Sequence, residues 1–223
     1  MEAHAPGRDV SAEVAARLRE AITSGRFMPN ERLVEADLVT FLDANRANVR
    51  MALAMLDQEG LVVREPNRGA RVRLLSDVEA IEIAEARRAI ETMVARQAAE
   101  RAGDDDRSVL QGIITDMKAA VAASDPVTYS RLNARLHREI QRIAANATAS
   151  RLLQTLRSQL VRLQYQIALF PGRPAQSVVE HANIVAAICA GDGAAAEAAM
   201  RTHLDQVVAN IRSAVTAARA GML

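Results

Sequence analysis

The chain has 223 residues, half of them hydrophobic but only 2% aromatic. That is material for one or two helix-rich cores built from Ala, Leu, Val and Ile. A net charge of +1 rules out bulk electrostatics as the route to a nucleic acid, and the single cysteine, Cys189, rules out an intrachain disulfide, as suits a reducing compartment. The N-terminus lacks the apolar stretch of a signal peptide and no apolar run is long enough to span a bilayer, so the expectation is a cytoplasmic protein with no membrane association.

Residues 1–9, with Pro6 and Gly7, read as a mobile arm. From Val10 to Ser24 the apolar residues Val14, Leu18, Ala21 and Ile22 keep a helical spacing, and Gly25 stops the helix. Residues 27–33 read as a short extended turn, and the next helix starts at Val34 or Glu35 with Leu38, Phe41 and Leu42 on one side. A polar break at Asp43-Ala44-Asn45 follows, with Asn45 as cap of a helix that buries Val49, Leu53 and Leu56 and ends at Gly60. Leu61–Arg64 and Ala70–Leu74 read as two strands turned by Pro66-Asn67-Arg68-Gly69. Two helices across a tight break and then a hairpin form a winged helix-turn-helix.

Beyond it only helices are expected. Ser76 and Glu79 form a capping box, opening a helix to about Ala102 that Gly103-Asp104-Asp105-Asp106 breaks. Further helices run from about Arg107 to Ala123, from Ser124-Asp125-Pro126 to near Asn146, from Ala149 to Leu169, from Ala175 to Ala190 after the loop Phe170–Pro174, and from the turn Gly191-Asp192-Gly193 to near Ala220. The fold class is mostly α: a winged helix-turn-helix over 1–75 and an all-helical bundle over 76–223, joined almost without linker, so that a shift in one can pass to the other.

The basic charge is arranged even though it is not abundant. Arg46, Arg50, Arg64, Arg68, Arg71 and Arg73 crowd the second helix and the hairpin. A helix N-terminus offers free N–H groups to a phosphate, and its first turns reach base edges in the major groove. Arg46 and Arg50, one turn apart, suit guanine O6 and N7, and Asn48 suits adenine. Any two helical arginines taken alone are more often solvated surface charge; the turn and the wing around these two favour DNA. Arg64, Arg71 and Arg73 are weaker candidates.

Of four histidines, His4 lies in the arm, while His137, His181 and His203 come from three separate helices of the second domain. Asn133 precedes His137 by one helical turn and shares its face. Three imidazoles and one oxygen donor suit Zn²⁺ or Ni²⁺, with positions left open for water or an effector oxygen, although each histidine alone would read as a satisfied core or surface residue. Arg87 could clamp a carboxylate bidentately or simply pair with Glu91 at i,i+4. Arg135 and Arg138 read as surface residues.

Leu42-Asp43-Ala44-Asn45-Arg46-Ala47-Asn48-Val49-Arg50-Met51-Ala52-Leu53 resembles the DNA-binding core of the GntR family of bacterial regulators, framed by Leu18–Ile22, Gly25, Pro29, Arg32-Leu33, Glu59–Val62 and Arg68–Ala70. Asp43 stands where the family has glycine, Asn45 for serine, Ala47-Asn48 for threonine-proline and Met51 for glutamate. Arg87–Glu91, Asn133–His137, Glu180-His181, Ala190–Asp192 and Thr202–Leu204 resemble the FCD domain of the FadR-like subfamily. The resemblance implies DNA contacts from Asn45, Arg46, Ala47, Asn48, Arg50, Arg68 and Gly69, the last letting the hairpin tip approach the minor groove. It also implies a metal held by Asn133, His137, His181 and His203, with Asn133 in place of the usual aspartate, and a small carboxylate effector near Arg87. The implied activity is that of a homodimeric repressor on palindromic double-stranded operator DNA, released by its effector. A metal-responsive regulator and a three-histidine metalloenzyme are the alternatives, the latter lacking an evident general base.

Overall fold

The computed structural model describes residues 6–65, 69–168 and 172–219, and its first helix is α1 (Pro6–Thr23); of the arm expected over 1–9, residues 6–9 are helical and 1–5 lie outside the described residues. By compactness the chain divides into two units, Met1–Ser76 and Asp77–Leu223.

In the first unit α1 is followed by β1 (Arg32–Leu33), α2 (Glu35–Leu42), α3 (Arg46–Gln58), β2 (Val62–Glu65) and β3 (Gly69–Val72). Val14, Leu18 and Ile22 of α1 close on Leu38 and Leu42 of α2, on Val49, Leu53 and Leu56 of α3, and on Leu33, Val62 and Val72 of the sheet. The stretch at 32–33, read from sequence as part of a turn, is a strand. The sheet order is β1-β3-β2, antiparallel throughout, with Val62 opposite Val72, Glu65 opposite Gly69 and Leu33 opposite Ala70. Phe41 does not join the core: it is exposed, its ring edge-on to Phe27 with the Arg26 guanidinium over both.

The tight turn between α2 and α3 turns on Asp43, which takes the left-handed conformation at φ 46°. That conformation explains why glycine serves well there, and why a short polar residue is tolerated better than most. Asn45 then accepts from the Asn48 N–H at 2.8 Å and starts α3.

The second unit contains α4 (Asp77–Arg101), α5 (Asp104–Ala122), α6 (Pro126–Ala144), α7 (Ala147–Ala168), α8 (Arg173–Cys189) and α9 (Gly193–Arg219). Two boundaries differ from the sequence reading. The acidic run 104–106 is the first turn of α5, where carboxylates favour the helix dipole, and Asp106 accepts from the Gly103 N–H at 3.1 Å. Likewise Arg173 and Pro174, read as loop, open α8. The core joins Val94, Ala95 and Ala98 of α4 to Leu110, Ile113 and Met117 of α5, Leu132, Leu136 and Ile140 of α6, Ile184 and Ile188 of α8, and Met200 and Leu204 of α9.

Candidate functional site

The N-terminal end of α3 presents Asn45, Arg46, Ala47 and Arg50 to solvent, with Asn48 half-buried. Among the described residues Arg46 has no partner. Arg50 Nε donates to Glu35 Oε2 at 2.8 Å, across from the first turn of α2. Asn48 Oδ1 accepts from the Ser11 hydroxyl of α1 at 3.1 Å, so one edge of the amide suited to adenine is already engaged. Arg71 is tied to Glu65 at 2.7 Å and to the Asn30 carbonyl at 3.0 Å. Gly69 has φ +85°, and a Cβ there would lie 2.6 Å from the Leu33 carbonyl oxygen. The glycine is thus required by the approach of β1 to β3. Pro66, Asn67 and Arg68, the expected wing tip, lie outside the described residues.

The second constellation lies inside the helical unit. Asp125 caps α6 by accepting from the Thr128 N–H at 3.0 Å, and Pro126 occupies its first turn. The buried stripe of α6 carries Tyr129, Leu132, Leu136 and Ile140, with His137 among them. His181 sits among Val178, Ile184 and Val185 of α8, and His203 beside Met200 and Leu204 of α9. All three imidazoles are buried, and one nitrogen from each falls within 4.8 Å of the others. His137 and His181 face each other through Nε2 at 3.3 Å. That is the edge expected between two ligands bound tetrahedrally at ~2.0–2.1 Å from one ion.

The opposite nitrogens are committed elsewhere. His137 Nδ1 lies 2.8 Å from Glu91 Oε2, His203 Nδ1 lies 2.7 Å from Glu180 Oε2, and His181 Nδ1 lies 3.4 Å from Ser177 Oγ. A carboxylate on Nδ1 keeps the proton there and leaves the Nε2 lone pair free, the arrangement by which histidine is oriented as a metal ligand. Each carboxylate is itself anchored. Glu91 Oε1 accepts from Arg87 Nε and Nη2 at 3.0 and 2.8 Å, Glu91 Oε2 from Arg157 Nη2 at 2.7 Å, and Glu180 takes both terminal nitrogens of Arg173 at 2.8 and 3.0 Å.

The electrostatics keep the three imidazoles neutral. Burial, reinforced by the Arg157 guanidinium, pushes His137 down to about 3 against the pull of Glu91. Burial and the two neighbouring imidazoles lower His181 well below the ordinary value, and burial lowers His203 despite its bond to Glu180. Burial alone would raise the Glu91 carboxyl, yet Arg157 and Arg87 together hold it well below the usual range. Three unprotonated imidazoles can each offer a lone pair at neutral pH.

Two buried polar atoms of this region, Asn133 Oδ1 and Arg157 Nε, have no hydrogen-bond partner among the described residues, and the buried Tyr129 Oη has only the Ser177 side chain beside it. Asn133 and Tyr129 lie one and two turns before His137 on α6. A buried oxygen without a donor costs about 1–3 kcal/mol, which coordination to a cation would remove. The donor set of three imidazoles and one amide oxygen therefore fits a divalent ion, and Asn133, His137, His181 and His203 are the residues that would hold it.

Sequence reasoning singled out these four residues but not their supports. Spacing offers Glu91 only as a partner of Arg87. Glu180 is adjacent to His181 in sequence yet orients His203, on another helix. Arg157, Arg173 and Ser177 carried no signal at all. Arg87 and Glu91 are each almost wholly buried, so their pair belongs to this centre and is more than the weak surface pair that spacing alone suggests. Arg135 and Arg138 are both exposed.

Residues 10–72 match the model of the gntR family of bacterial regulatory proteins, and residues 82–206 match the FCD domain. The chain belongs to the gntR family and carries an FCD domain. It is 25% identical over 207 residues to the HTH-type transcriptional repressor RspR of Escherichia coli K12, covering 93% of this chain and 91% of that one. It is 29% identical over 227 residues to a protein assigned as the L-lactate dehydrogenase operon regulator of the same organism, covering 90% and 85%. Its fold is that of Escherichia coli McbR/YncC, with a TM-score of 0.80 at 19% identity over 92% of this chain and 97% of that one. A GntR regulator from Rhodococcus sp. RHA1 gives 0.76 at 24%, covering 92% and 98%. This gntR-family chain is thus a transcriptional regulator and no enzyme; no helix among its described residues is long and apolar enough to cross a membrane.

Proposed function

We propose that this regulator is a cytoplasmic, homodimeric repressor whose α3 reads a palindromic operator and whose helical unit binds a divalent metal, Zn²⁺ or Ni²⁺, together with a small carboxylate effector that releases the DNA. The observation that carries the reading is the three-histidine centre, with the Nε2 atoms of His137 and His181 facing each other, the Nδ1 atoms anchored, and the orphaned Asn133 oxygen on the same helix face as His137. The bound ion would supply a fixed positive charge and open coordination positions for the effector's oxygen atoms. The protein's own charges point the same way. Arg87, Arg157 and Arg173 face Glu91 and Glu180, three guanidiniums against two carboxylates, so the centre carries one surplus positive charge before any ion enters. Asn133 adds no negative charge where aspartate would have balanced it. An anionic ligand is favoured for that reason.

Arg157 and Tyr129 are better placed than Arg87 to hold that anion. Arg87 spends Nε and Nη2 on Glu91, whereas Arg157 Nε is buried without a partner among the described residues and the buried Tyr129 Oη has only Ser177 beside it. Burial pushes the Tyr129 phenol up to about 12, so it remains a donor at neutral pH. A relative assigned to an L-lactate dehydrogenase operon accords with a short organic acid as the signal.

Metal analysis of chain purified without chelator or nickel resin, followed by operator titrations with and without short carboxylic acids, tests the reading. About one equivalent of metal and a fall in operator affinity with one acid are expected. Metal-free protein with intact operator binding would remove the metal from the reading. A second outcome is specific: if operator binding requires added metal reversibly, with no acid effect, the ion itself is the signal.

A further inference from the structure

We infer that Glu35 is a positioning residue for DNA readout, holding the Arg50 guanidinium so that its two terminal amines point to the groove. The inference rests on the proposed role of α3 and names the specificity of that site. Glu35 lies in the first turn of α2 and Arg50 one turn into α3. Glu35 Oε2 accepts from Arg50 Nε at 2.8 Å, and among the described residues neither side chain has another partner. Arg50 is 65% exposed while Glu35 is only 29% exposed, so the carboxylate forms the fixed base and the guanidinium the outward tip.

The choice of nitrogen matters. A guanidinium can grip an acceptor pair along its Nε–Nη edge or its Nη–Nη edge. With Nε engaged, only the Nη–Nη edge remains, and it matches guanine O6 and N7 approached end-on. An arginine with four rotatable side-chain bonds otherwise loses rotamer freedom on docking, and a preformed bond reduces that loss. The carboxylate also has an opposing effect. In helix-turn-helix docking the first helix crosses the phosphate backbone, so a carboxylate at its start repels DNA unless a cation neutralises it. Glu35 therefore weakens binding to arbitrary sequence while sharpening the grip on guanine.

The test uses the full chain and duplexes selected by it from a randomised DNA pool. The base pair read by Arg50 is the one whose preference disappears in Arg50→Ala. Glu35→Gln should keep the melting temperature, bind random duplex as tightly as the parent or more tightly, and lose roughly two- to fivefold of the guanine preference at that base pair, the scale of an exposed ion pair. In the Arg50→Ala background Glu35→Gln should not change base preference further, because the residue acts through the arginine. Unchanged discrimination in Glu35→Gln, or an equal loss in both backgrounds, overturns the inference while leaving the DNA-binding role of α3 intact. A parent chain that enriches no sequence overturns both.

Discussion

On the proposed reading, Asn133 sets how an ion and an acid would share one centre. Its buried, unpartnered oxygen is neutral, so a bound ion would keep more of its charge than it would beside a carboxylate. Asn133→Asp is expected to tighten metal binding about tenfold or more, a change of ~1.4 kcal/mol, and to weaken an acid effector by neutralising the surplus positive charge. Competition titration with a chromogenic chelator reads the first change and calorimetry with the acid the second; tighter binding of both ligands would contradict the charge argument. Tyr129 makes the complementary prediction. Tyr129→Phe should leave metal content unchanged and weaken the acid about three- to tenfold, the scale of one hydrogen bond. Because its folded pKa stands above the unfolded value near 10, the stability it contributes is present below pH 10 and is lost as pH rises toward about 12. In alkaline melts the parent should therefore lose stability relative to the variant as pH rises above 10, and parallel curves would refute it.

At the scale of elements, the winged unit depends on close approaches that its helices do not create by themselves. β1 reaches β3 only because Gly69 leaves room for the Leu33 carbonyl, and the same glycine adopts φ +85°. Gly69→Ala should destabilise the chain by roughly 2 kcal/mol or more, combining left-handed strain of ~1–2 kcal/mol with a backbone contact that cannot relax cheaply. Urea denaturation measures this, and a change under about 0.5 kcal/mol would show that β1 is free to move away. The helices themselves were largely legible. The spacing of Val14, Leu18 and Ile22, and of Val49, Leu53 and Leu56, fixes which faces are buried, since 3.6-residue periodicity is local information. Phe41 shows where that fails: it shares the apolar side of α2 with Leu38 and Leu42, yet Phe27 and Arg26 meet it outside the core. β1 was hidden for a related reason, because a two-residue strand exists only through its partner.

At the scale of the whole molecule, the two proposed chemistries are separated along the chain: donors for DNA on α3, and a metal and effector centre gathered from α4, α6, α7, α8 and α9. Residues 73–76 are all that join β3 to α4 in sequence. Because the centre draws on five helices, occupancy by an ion should stabilise them jointly. Stripping metal with chelator is expected to lower the melting temperature, and restoring Zn²⁺ at a hundredfold over its dissociation constant to return ~2.7 kcal/mol. Calorimetry of stripped and reloaded protein checks this. Equal melting in both states would mean that the histidines hold no ion in the folded chain.

By itself the sequence determined the helical periodicity, the winged helix-turn-helix order and the three histidines worth watching, because each of these is written in residue type and local spacing. Tertiary structure alone decided what those histidines touch. Glu180 stands next to His181 in the chain and orients His203, and Glu91 of α4 turns His137 of α6 while Arg157 of α7 holds Glu91 in place. Such partners are assigned by which helix faces meet in the core, and that is a property of packing between segments far apart in sequence, which no local pattern encodes.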